Sequence, residues 1–387
     1  MVPRHITPYH LSMQRLTRYA VLAVFFMLLA TPSPAPAQDA AEGESSRFTE
    51  AEQETLEKAQ KFERELVRVV EKVRPASVSI ENWRKMGSIV RMAGQGSGVI
   101  ISKKGYILTN QHVVQGAAEI WVSLYDHRRF KATLIGNDPR GDVALLRINA
   151  SRLKYKDPRR GRPDRLSAGE WVIATGNPFG LAGDGEPVVT FGVVSGLERI
   201  LPGQFFYGDA IQHDAKINPG NSGGPLWDTN GNLLGINGKI ATNNSSGGGP
   251  SSSGAGYTIP IDQIRNFLEA MLKGLPVRHG DEILGIEGVK THYDRDGTAD
   301  GAVVAKVRDA SPAALARAGG VQVGDVVVKV TVRGKPYTIR TMTDFITRLS
   351  PLAEGAKLSL VVVRGRKRIV IPNIVLELPK KKGRGKR

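Results

Sequence analysis

The sequence predicts a mainly β protein with two folded domains, an N-terminal signal peptide and one N-terminal helix. Short apolar stretches recur with Gly, Pro, Asn and Asp between them, a pattern typical of all-β domains. One amphipathic stretch precedes them. At 387 residues, with 41% hydrophobic and 24% charged residues, the chain is long enough to bury two substantial cores.

The first 37 residues have the organisation of a secretory signal peptide. Three arginines precede an apolar run at residues 20–30, and Ala-Pro-Ala before Gln38 provides a small-residue cleavage site. The run is too short to span a bilayer comfortably, so we expect cleavage and export, with an uncleaved anchor as the alternative. Translation from Met13 instead of Met1 would preserve all three regions. Residues 38–48 are small and acidic, and we expect a linker there.

Residues 49–74 are predicted to form an amphipathic helix, because apolar residues recur every three or four positions until Pro75 disfavours continuation. The apolar stripe consists of Leu56, Ala59, Phe62, Leu66, Val69, Val70 and Val73. This stripe needs a partner. The candidates are the β domain that follows and a neighbouring subunit.

The β pattern continues from this helix for nearly 200 residues. Strands are predicted at 77–80, 98–101, 106–109, 119–124, 131–135, 143–148, 171–175, 190–195, 210–214, 226–227, 233–237 and 256–259. Candidate catalytic residues fall at strand ends and in loops, where a rigid sheet can hold them while leaving them accessible.

The segment Asn-Pro-Gly-Asn-Ser-Gly-Gly-Pro at residues 218–225 is the most informative motif of the chain. Glycines on both sides of Ser222 give the backbone the freedom to project a serine oxygen and to converge two N–H groups on a substrate carbonyl. Such a segment on its own also fits an ordinary glycine-rich turn, so a catalytic interpretation needs a base and an acid elsewhere.

A candidate base and a candidate acid precede this serine. His112 directly follows a predicted strand, and Asp142 begins another, with Asp138 as a rival acid four residues earlier. In triad chemistry an imidazole takes the hydroxyl proton, and a buried carboxylate fixes the ring tautomer. Each residue alone is compatible with a structural role, but together, in the order His, Asp, Ser, they predict a nucleophilic serine.

Five segments together resemble the HtrA (Deg) family of serine proteases: TNQHVV, DPRGDVALLRI, GEWVIATGNPFG, HDAKINPGNSGGPL and GAGYTIP. The resemblance implies a trypsin-like double β-barrel protease domain over residues 75–273, with serine endopeptidase activity of the peptidase Do type. It further implies that His112 is the general base, Asp142 its orienting acid and Ser222 the nucleophile. The N–H groups of Gly220 and Ser222 would form the oxyanion hole.

The family's specificity pocket corresponds to Ile217 and Ile240, both apolar, so the resemblance implies cleavage after Val, Ile, Ala or similar residues. The chain departs from the family at two positions. Gly238 stands where a Ser or Thr commonly helps to orient the buried acid. Lys239 then places a cation on the strand that pairs with substrate, where it faces either the cleft or solvent.

No cofactor is predicted. The chain has no cysteine, its 7 histidines show no metal-ligand spacing, and its glycine-rich segments lack the ending of a phosphate-binding loop. We expect neither a metal nor a nucleotide. His213 and Asp214, close to the nucleophile motif, are expected to have structural roles on the preceding strand.

The sequence also predicts the roles of several loops. Residues 178–187 and 237–256 match the family's activation and substrate loops, although the tip at 243–253 also fits a tolerated insertion. The loop at 82–95 is short, so the long arm of some relatives is expected to be missing. The basic run at 149–165 fits a solvated surface.

A second domain is predicted over residues 281–379, after a linker at 274–280. Its motifs resemble a bacterial PDZ module: LGI at 284, SPAA at 311, VGDVVV at 323, a helix at 341–349 and a strand at 358–364. In such a module the backbone around Leu284, Gly285 and Ile286 captures a peptide C-terminus, and Phe345 and Leu349 line an apolar pocket.

Charge suggests one further kind of partner. The formal net charge is +17, and residues 380–387 form a basic tail. Such a tail can attract an anionic envelope surface. It has no interleaved aromatic residues to stack on bases, so we expect no nucleic-acid partner.

These features together predict an exported periplasmic serine endoprotease that degrades unfolded or damaged envelope proteins under stress. Peptide C-termini would bind the PDZ domain, and the family resemblance implies a homotrimer or a higher multiple. Two alternatives stay open: a peptide-binding chaperone or scaffold, and a regulatory protease with one dedicated substrate that a PDZ ligand activates.

Overall fold

The structure, a computed structural model, describes residues 49–157, 159–177, 186–201, 205, 207–243 and 251–378. The described residues divide into two units, with the boundary between Phe62 and Glu63. The predicted signal peptide, the acidic linker, the basic tail and much of the predicted activation and substrate loops lie outside the described residues. Within the described ranges, no helix combines the length and apolar character that a membrane span requires.

Helix α1 (Glu50–Val73) begins in the first unit and ends in the second. At its start Thr49 donates from its backbone N and its hydroxyl to the Glu52 carboxylate, at 2.7 and 2.8 Å, which stabilises the first turn. A 3₁₀ turn (Arg74–Ala76) containing Pro75 follows. The predicted helix is present.

Within the second unit, the last part of α1 has an apolar partner. Val73 is fully buried, and Leu66, Val69 and Val70 pack against the same core cluster. This part of the helix therefore packs on its own barrels, one of the two predicted alternatives. Leu56 and Phe62, nearer its start, are 45% and 43% exposed.

Twelve strands close into two six-stranded barrels, which confirms the predicted double β-barrel. The first barrel contains β1 (Ser77–Met86), β2 (Ile89–Ile100), β3 (Tyr106–Thr109), β4 (Glu119–Leu124), β5 (Arg129–Asp138) and β6 (Val143–Arg147). The second contains β7 (Trp171–Gly176), β8 (Val188–Leu201), β9 (Tyr207–His213), β10 (Pro225–Asp228), β11 (Leu233–Asn243) and β12 (Ser251–Pro260). Every predicted strand has a counterpart.

The first hairpin differs from the expectation. Residues 82–95, interpreted as a loop, continue both strands to a two-residue turn at Gly87 and Ser88. The outer part mixes charged and apolar side chains without strict alternation, and Met86 and Met92 are 65% and 50% exposed. Backbone pairing, and not burial, maintains these strands, so hydrophobicity alone did not reveal them.

One core cluster joins the two barrels. It contains Val99 and Leu108 from the first barrel and Trp227 and Ile236 from the second, all fully buried. Helix α3 (Ile261–Leu272) follows the last barrel strand and contributes Phe267 to this cluster. The barrels therefore share a packed face, and loops at its edge are held at fixed positions.

The C-terminal module has its own core and a six-stranded antiparallel sheet. Its elements are α4 (Gly280–Leu284), β13 (Ile286–Glu287), β14 (Lys290–Tyr293), β15 (Ala299–Val303), β16 (Lys306–Val307), β17 (Val326–Val332), β18 (Lys335–Thr338), α5 (Met342–Leu349), β19 (Lys357–Arg364) and β20 (Lys367–Val375). Thr341 and Asp344 form a capping box at the start of α5, at the predicted place.

Candidate active site

The predicted base and acid meet at one end of the first barrel. His112 lies on the short helix α2 (Gln111–Val114), which follows β3. Asp142 lies directly before β6. Because β3 and β6 are antiparallel neighbours with Thr109 opposite Ala144, the end of one and the start of the other lie side by side.

His112 and Asp142 are joined by direct hydrogen bonds. His112 Nδ1 lies 2.8 Å from Asp142 Oδ2 and 3.0 Å from Oδ1, and the His112 backbone N donates to Oδ1 at 3.0 Å. Asp142 is fully buried, whereas the His112 side chain is 33% exposed. A carboxylate only accepts hydrogen bonds, so Nδ1 carries the proton and Nε2 offers a lone pair.

Tyr207 is a third member of this cluster, and sequence reasoning missed it. Its hydroxyl donates to Asp142 Oδ2 at 2.6 Å, and its side chain is 1% exposed. Burial, together with the charge of Asp142, raises the pKa of the Tyr207 hydroxyl, which therefore stays protonated. No local pattern identifies this tyrosine, because it stands 65 residues from its partner.

The nucleophile motif forms a tight turn before β10. Asn221 N donates to Asn218 O at 3.0 Å, and Gly220 lies at φ 103° and Gly223 at φ 83°, where side chains would be strained. Within the part of the chain that the structure describes, neither the Gly220 N–H nor the Ser222 N–H has a hydrogen-bond acceptor. Two backbone donors are thus available beside Ser222.

Ser97 fastens this turn to the first barrel. It is fully buried on β2. Its hydroxyl donates to Gly220 O at 2.7 Å, and its backbone N donates to Ser222 O at 2.8 Å. Asn177 N in turn donates to the Ser97 hydroxyl at 2.8 Å. Sequence reasoning missed Ser97, because a serine between glycines resembles an ordinary turn residue.

The nucleophile turn lies against the residues that precede His112. A Cβ atom on Gly223 would lie 2.2 Å from Thr109 Oγ1 and 3.0 Å from Asn110 N. Among the described residues, no hydrogen bond joins Ser222 Oγ to the His112 ring. The structure therefore pairs His112 with Asp142 and places Ser222 in an adjoining turn. Catalytic hydrogen bonds often form only once substrate is bound.

Asp138, the rival acid, binds groups other than His112. It is buried at the end of β5 and accepts hydrogen bonds from the backbone N of Gly141 at 2.9 Å. It also contacts His279 Nε2 of the C-terminal module at 2.9 Å. Arg140, between the two acids, binds Asp281 of that module at 2.8 Å. The loop that ends at Asp142 is therefore attached to the C-terminal module.

His279 is held as a buried cation. Its Nδ1 faces Ser350 O at 2.9 Å and its Nε2 faces Asp138, so both ring nitrogens donate. Burial alone would lower the pKa of His279. The hydrogen bond and charge of Asp138, with the Ser350 carbonyl, outweigh burial and the repulsion of Arg140, and the pKa is raised.

Replacement of His279 by glutamine is therefore expected to remove a pH-dependent part of the stability. Because the folded-state pKa is raised, the stabilisation is complete below the ordinary pKa of about 6.5 and declines as pH rises through the folded-state pKa. Urea unfolding of the parent and of His279→Gln from about pH 5 to about pH 9 measures the difference in free energy of unfolding. This difference should shrink as pH rises, and a difference independent of pH would contradict a cationic His279.

His213 and Asp214 have structural contacts. His213 is fully buried, and its Nε2 donates to Thr258 Oγ1 at 3.0 Å, since that hydroxyl itself donates to Asn237 Oδ1. Burial lowers the pKa of His213 to about 4, so the ring is neutral at pH 7. Asp214 Oδ1 accepts from Val193 N at 2.6 Å. These contacts agree with the predicted structural roles.

Of the two predicted pocket residues, the structure describes the side chain of Ile217 but not that of Ile240. Ile217 is 3% exposed and belongs to the core cluster of the second barrel. The side chains of Ile240 and Lys239 lie outside the described residues, although the backbone of both is in β11. The assignment of the specificity pocket stays a prediction.

The predicted peptide-binding residues gather in the core of the C-terminal module. Leu284, Phe345 and Leu349 are at most 1% exposed, and Ile286 is 6% exposed. Gly285 lies at φ 79° between α4 and β13, and its Cβ would lie 2.3 Å from that of Ser311. In the described part of the chain, β13 pairs with β16 alone, which leaves its other edge open.

Comparison with known proteins supports a protease fold. Residues 96–236 match the family model of the trypsin-like peptidase domain. A Pseudomonas fluorescens protein named probable periplasmic serine endoprotease DegP-like is 41% identical over 276 residues, which are 70% of this chain and 54% of that protein. A Brucella suis protein of the same name is 37% identical over 297 residues, 76% of this chain and 55% of the relative. The chain spans about half the length of these curated relatives.

Solved structures of serine proteases have a similar fold. The HtrA-type protease AlgW with a tripeptide has a TM-score of 0.61 and 32% identity, covering 82% of this chain and 99% of its own. A serine endoprotease from Yersinia pestis has a TM-score of 0.54 and 30% identity, covering 81% of this chain and 97% of its own.

Proposed function

This chain belongs to the HtrA family of trypsin-like serine proteases, and we propose that it is an endoprotease that cleaves unfolded proteins through His112, Asp142 and Ser222. The His112–Asp142 pair carries this proposal. A buried carboxylate that holds the proton on Nδ1 leaves Nε2 free to act as a base toward a neighbouring hydroxyl. This pair lies beside a turn that presents a serine.

In the proposed reaction, substrate binding brings Ser222 Oγ within hydrogen-bond distance of His112 Nε2. Nε2 takes the hydroxyl proton while Oγ attacks the substrate carbonyl carbon, and Asp142 stabilises the resulting imidazolium. The carbonyl oxygen becomes negative and accepts hydrogen bonds from the Gly220 and Ser222 N–H groups. The proton then passes to the leaving amine as the C–N bond breaks.

This step leaves an acyl-enzyme. Water enters, gives a proton to His112 Nε2 and attacks the ester carbonyl, and the proton returns to Ser222 Oγ as the acid product leaves. Every proton moves through this one imidazole. No cofactor is required for either half of the reaction.

We propose that the C-terminal module is a PDZ domain that binds peptide C-termini. The open edge of β13 provides unpaired backbone groups to which an extended peptide can add as a strand. The αL glycine at Gly285 lets the backbone between α4 and β13 turn toward a terminal carboxylate. One structural neighbour, AlgW, was solved with a tripeptide.

We further propose a periplasmic location, because the curated relatives are named periplasmic and the N-terminal sequence predicts an export signal. Damaged or unfolded envelope proteins are the proposed substrates. A homotrimer or higher multiple and attraction to an anionic envelope surface stay predictions from the family resemblance and the tail sequence.

The direct test is proteolysis of an unfolded model substrate. The protein beginning at Gln38 is incubated with casein, and the cut sites are identified by mass spectrometry beside Ser222→Ala. Cleavage at many internal sites, present only with Ser222, is expected. Release of single terminal residues, or equal cleavage by both proteins, would contradict the proposal.

A regulated protease is the second candidate, and two observations favour it. Ser222 and His112 are not hydrogen-bonded in the described residues, and the loop before Asp142 is attached to the C-terminal module through Asp138 and Arg140. In the same assay, cleavage that requires an added peptide with an apolar C-terminus would indicate regulation.

The cut sites also test the predicted pocket. Cleavage is expected after Val, Ile or Ala, since Ile217 and Ile240 are apolar and Asp214, the nearest acid before the motif, is bonded to Val193 N. Comparing the residue frequency before each cut with the substrate composition gives the measurement. A preference for cleavage after Lys or Arg would show that the pocket contains an unrecognised acid.

A further inference from the structure

Asp142 is held by hydrogen-bond donors from both barrels. It is fully buried and lies in the left-handed backbone region at φ 58°. Its carboxylate accepts from the His112 ring, from the His112 backbone N and from the Tyr207 hydroxyl. Of these donors, Tyr207 alone comes from the second barrel, so it fixes Asp142 from the opposite side.

Position 238 explains why this donor is a tyrosine. The family resemblance implies a Ser or Thr hydroxyl at this position, but the chain has glycine. A Cβ atom on Gly238 would lie 2.3 Å from Tyr207 Oη and 2.8 Å from Cζ, far closer than atoms tolerate. The end of the tyrosine ring therefore occupies the space in which a side chain at 238 would lie.

The backbone around Gly238 accommodates this exchange. The pairing of β11 with β12 shifts register between Asn237 and Lys239, so Gly238 lies at an irregularity of the strand. Tyr207, at the start of β9, belongs to the core cluster that joins the barrels. The glycine and the tyrosine are thus two parts of one arrangement.

We propose that Tyr207 is a positioning residue for the triad, whose hydroxyl orients Asp142 in place of a hydroxyl from position 238. This inference rests on the proposed protease function. The hydroxyl does not contact substrate. It holds Oδ2 where His112 Nδ1 can donate to it, and it takes up part of the negative charge of the carboxylate.

Replacement of Tyr207 by phenylalanine is expected to lower kcat by about tenfold with little change in KM, because a buried charged acceptor loses one hydrogen bond. The titratable side chains bonded to Asp142 are His112 and Tyr207. Without the hydroxyl, more of the carboxylate charge acts on the imidazole, so the pKa of the acid limb of kcat/KM should rise.

Kinetics on a fluorogenic peptide across pH, with thermal melting alongside, provide the measurement. Tyr106→Phe is the matched control, since the Tyr106 ring packs against the same core cluster but lies on β3. This control should keep the parental rate and pH profile. A Tyr207→Phe protein with the parental rate and profile would overturn the inference, as would a loss explained fully by unfolding.

A rescue experiment separates positioning from packing. Gly238→Ser alone should impair folding or activity, because the new side chain collides with the tyrosine ring. Tyr207→Leu removes both the hydroxyl and the end of the ring and should be less active than Tyr207→Phe. Adding Gly238→Ser to Tyr207→Leu should restore activity and return the acid limb toward the parental pH. No recovery in a folded double variant would count against the inference.

The two levels of failure are distinguishable. If the parent shows no hydrolysis dependent on Ser222, the proposed function fails and the positioning role of Tyr207 fails with it. If the parent is active and Tyr207→Phe matches it, only the role of Tyr207 fails.

Discussion

Replacement of Ser222 by alanine is expected to reduce kcat by about a millionfold, because no other group in the turn can form the acyl-enzyme. The variant should fold normally. The Ser222 side chain makes no hydrogen bond among the described residues, and alanine retains the backbone N–H and the carbonyl that accepts from Ser97 N. The loss would therefore report chemistry, and not stability.

The measurement is casein hydrolysis at equal protein concentration, with melting temperature and aggregation protection recorded for both proteins. Ser88→Ala is the matched control, since Ser88 is an exposed serine in the turn of the first hairpin. This control should retain full activity. If Ser222→Ala still prevents aggregation of an unfolded substrate, a chaperone activity coexists with the protease. If parent and variant are equally unable to hydrolyse casein, the chaperone alternative replaces the protease.

Replacement of Asp142 by asparagine is expected to lower kcat by about ten-thousandfold at neutral pH. An amide has one acceptor oxygen and one NH₂ donor, whereas Asp142 accepts from three groups. The NH₂ group must face a donor. If it faces His112 Nδ1, the ring proton moves to Nε2, which can then no longer accept the proton of Ser222.

The matched control is Asp138→Asn, which changes the rival acid four residues earlier. Asp138 contacts His279 and the backbone of its own loop, so its loss should weaken attachment of the C-terminal module and lower kcat by less than about tenfold. The pH dependence of kcat for both variants completes the measurement. An Asp138→Asn protein more impaired than Asp142→Asn would exchange the roles assigned to the two acids.

The position of the C-terminal module gives these predictions a common structural basis. Helix α5 supplies Arg348, which binds Asp209 at 3.0 Å, two residues after Tyr207. His279 binds Asp138, four residues before Asp142. The module therefore contacts both chain segments that hold the carboxylate of the candidate triad, one from each barrel.

Local sequence determined much of this protein. Alternating apolar residues and turn residues predicted all twelve barrel strands, and the three-to-four-residue spacing before Pro75 predicted helix α1. These features depend on backbone geometry and on neighbours a few positions away, which the sequence records directly. The order of His112, Asp142 and Ser222, with their glycine-rich and apolar flanks, predicted a nucleophilic serine, and the resemblance to the HtrA family supplied the choice of Asp142 over Asp138.

Tertiary structure decided which side chains meet. Asp138 and Asp142 both precede the same strand, and only closure of the first barrel turns Asp142 toward His112 while Asp138 faces His279, 141 residues away. Tyr207 reaches Asp142 because the two barrels share a core and Gly238 leaves room for the ring. Contacts between such distant residues follow from how the sheets close and pack, and no local periodicity encodes them.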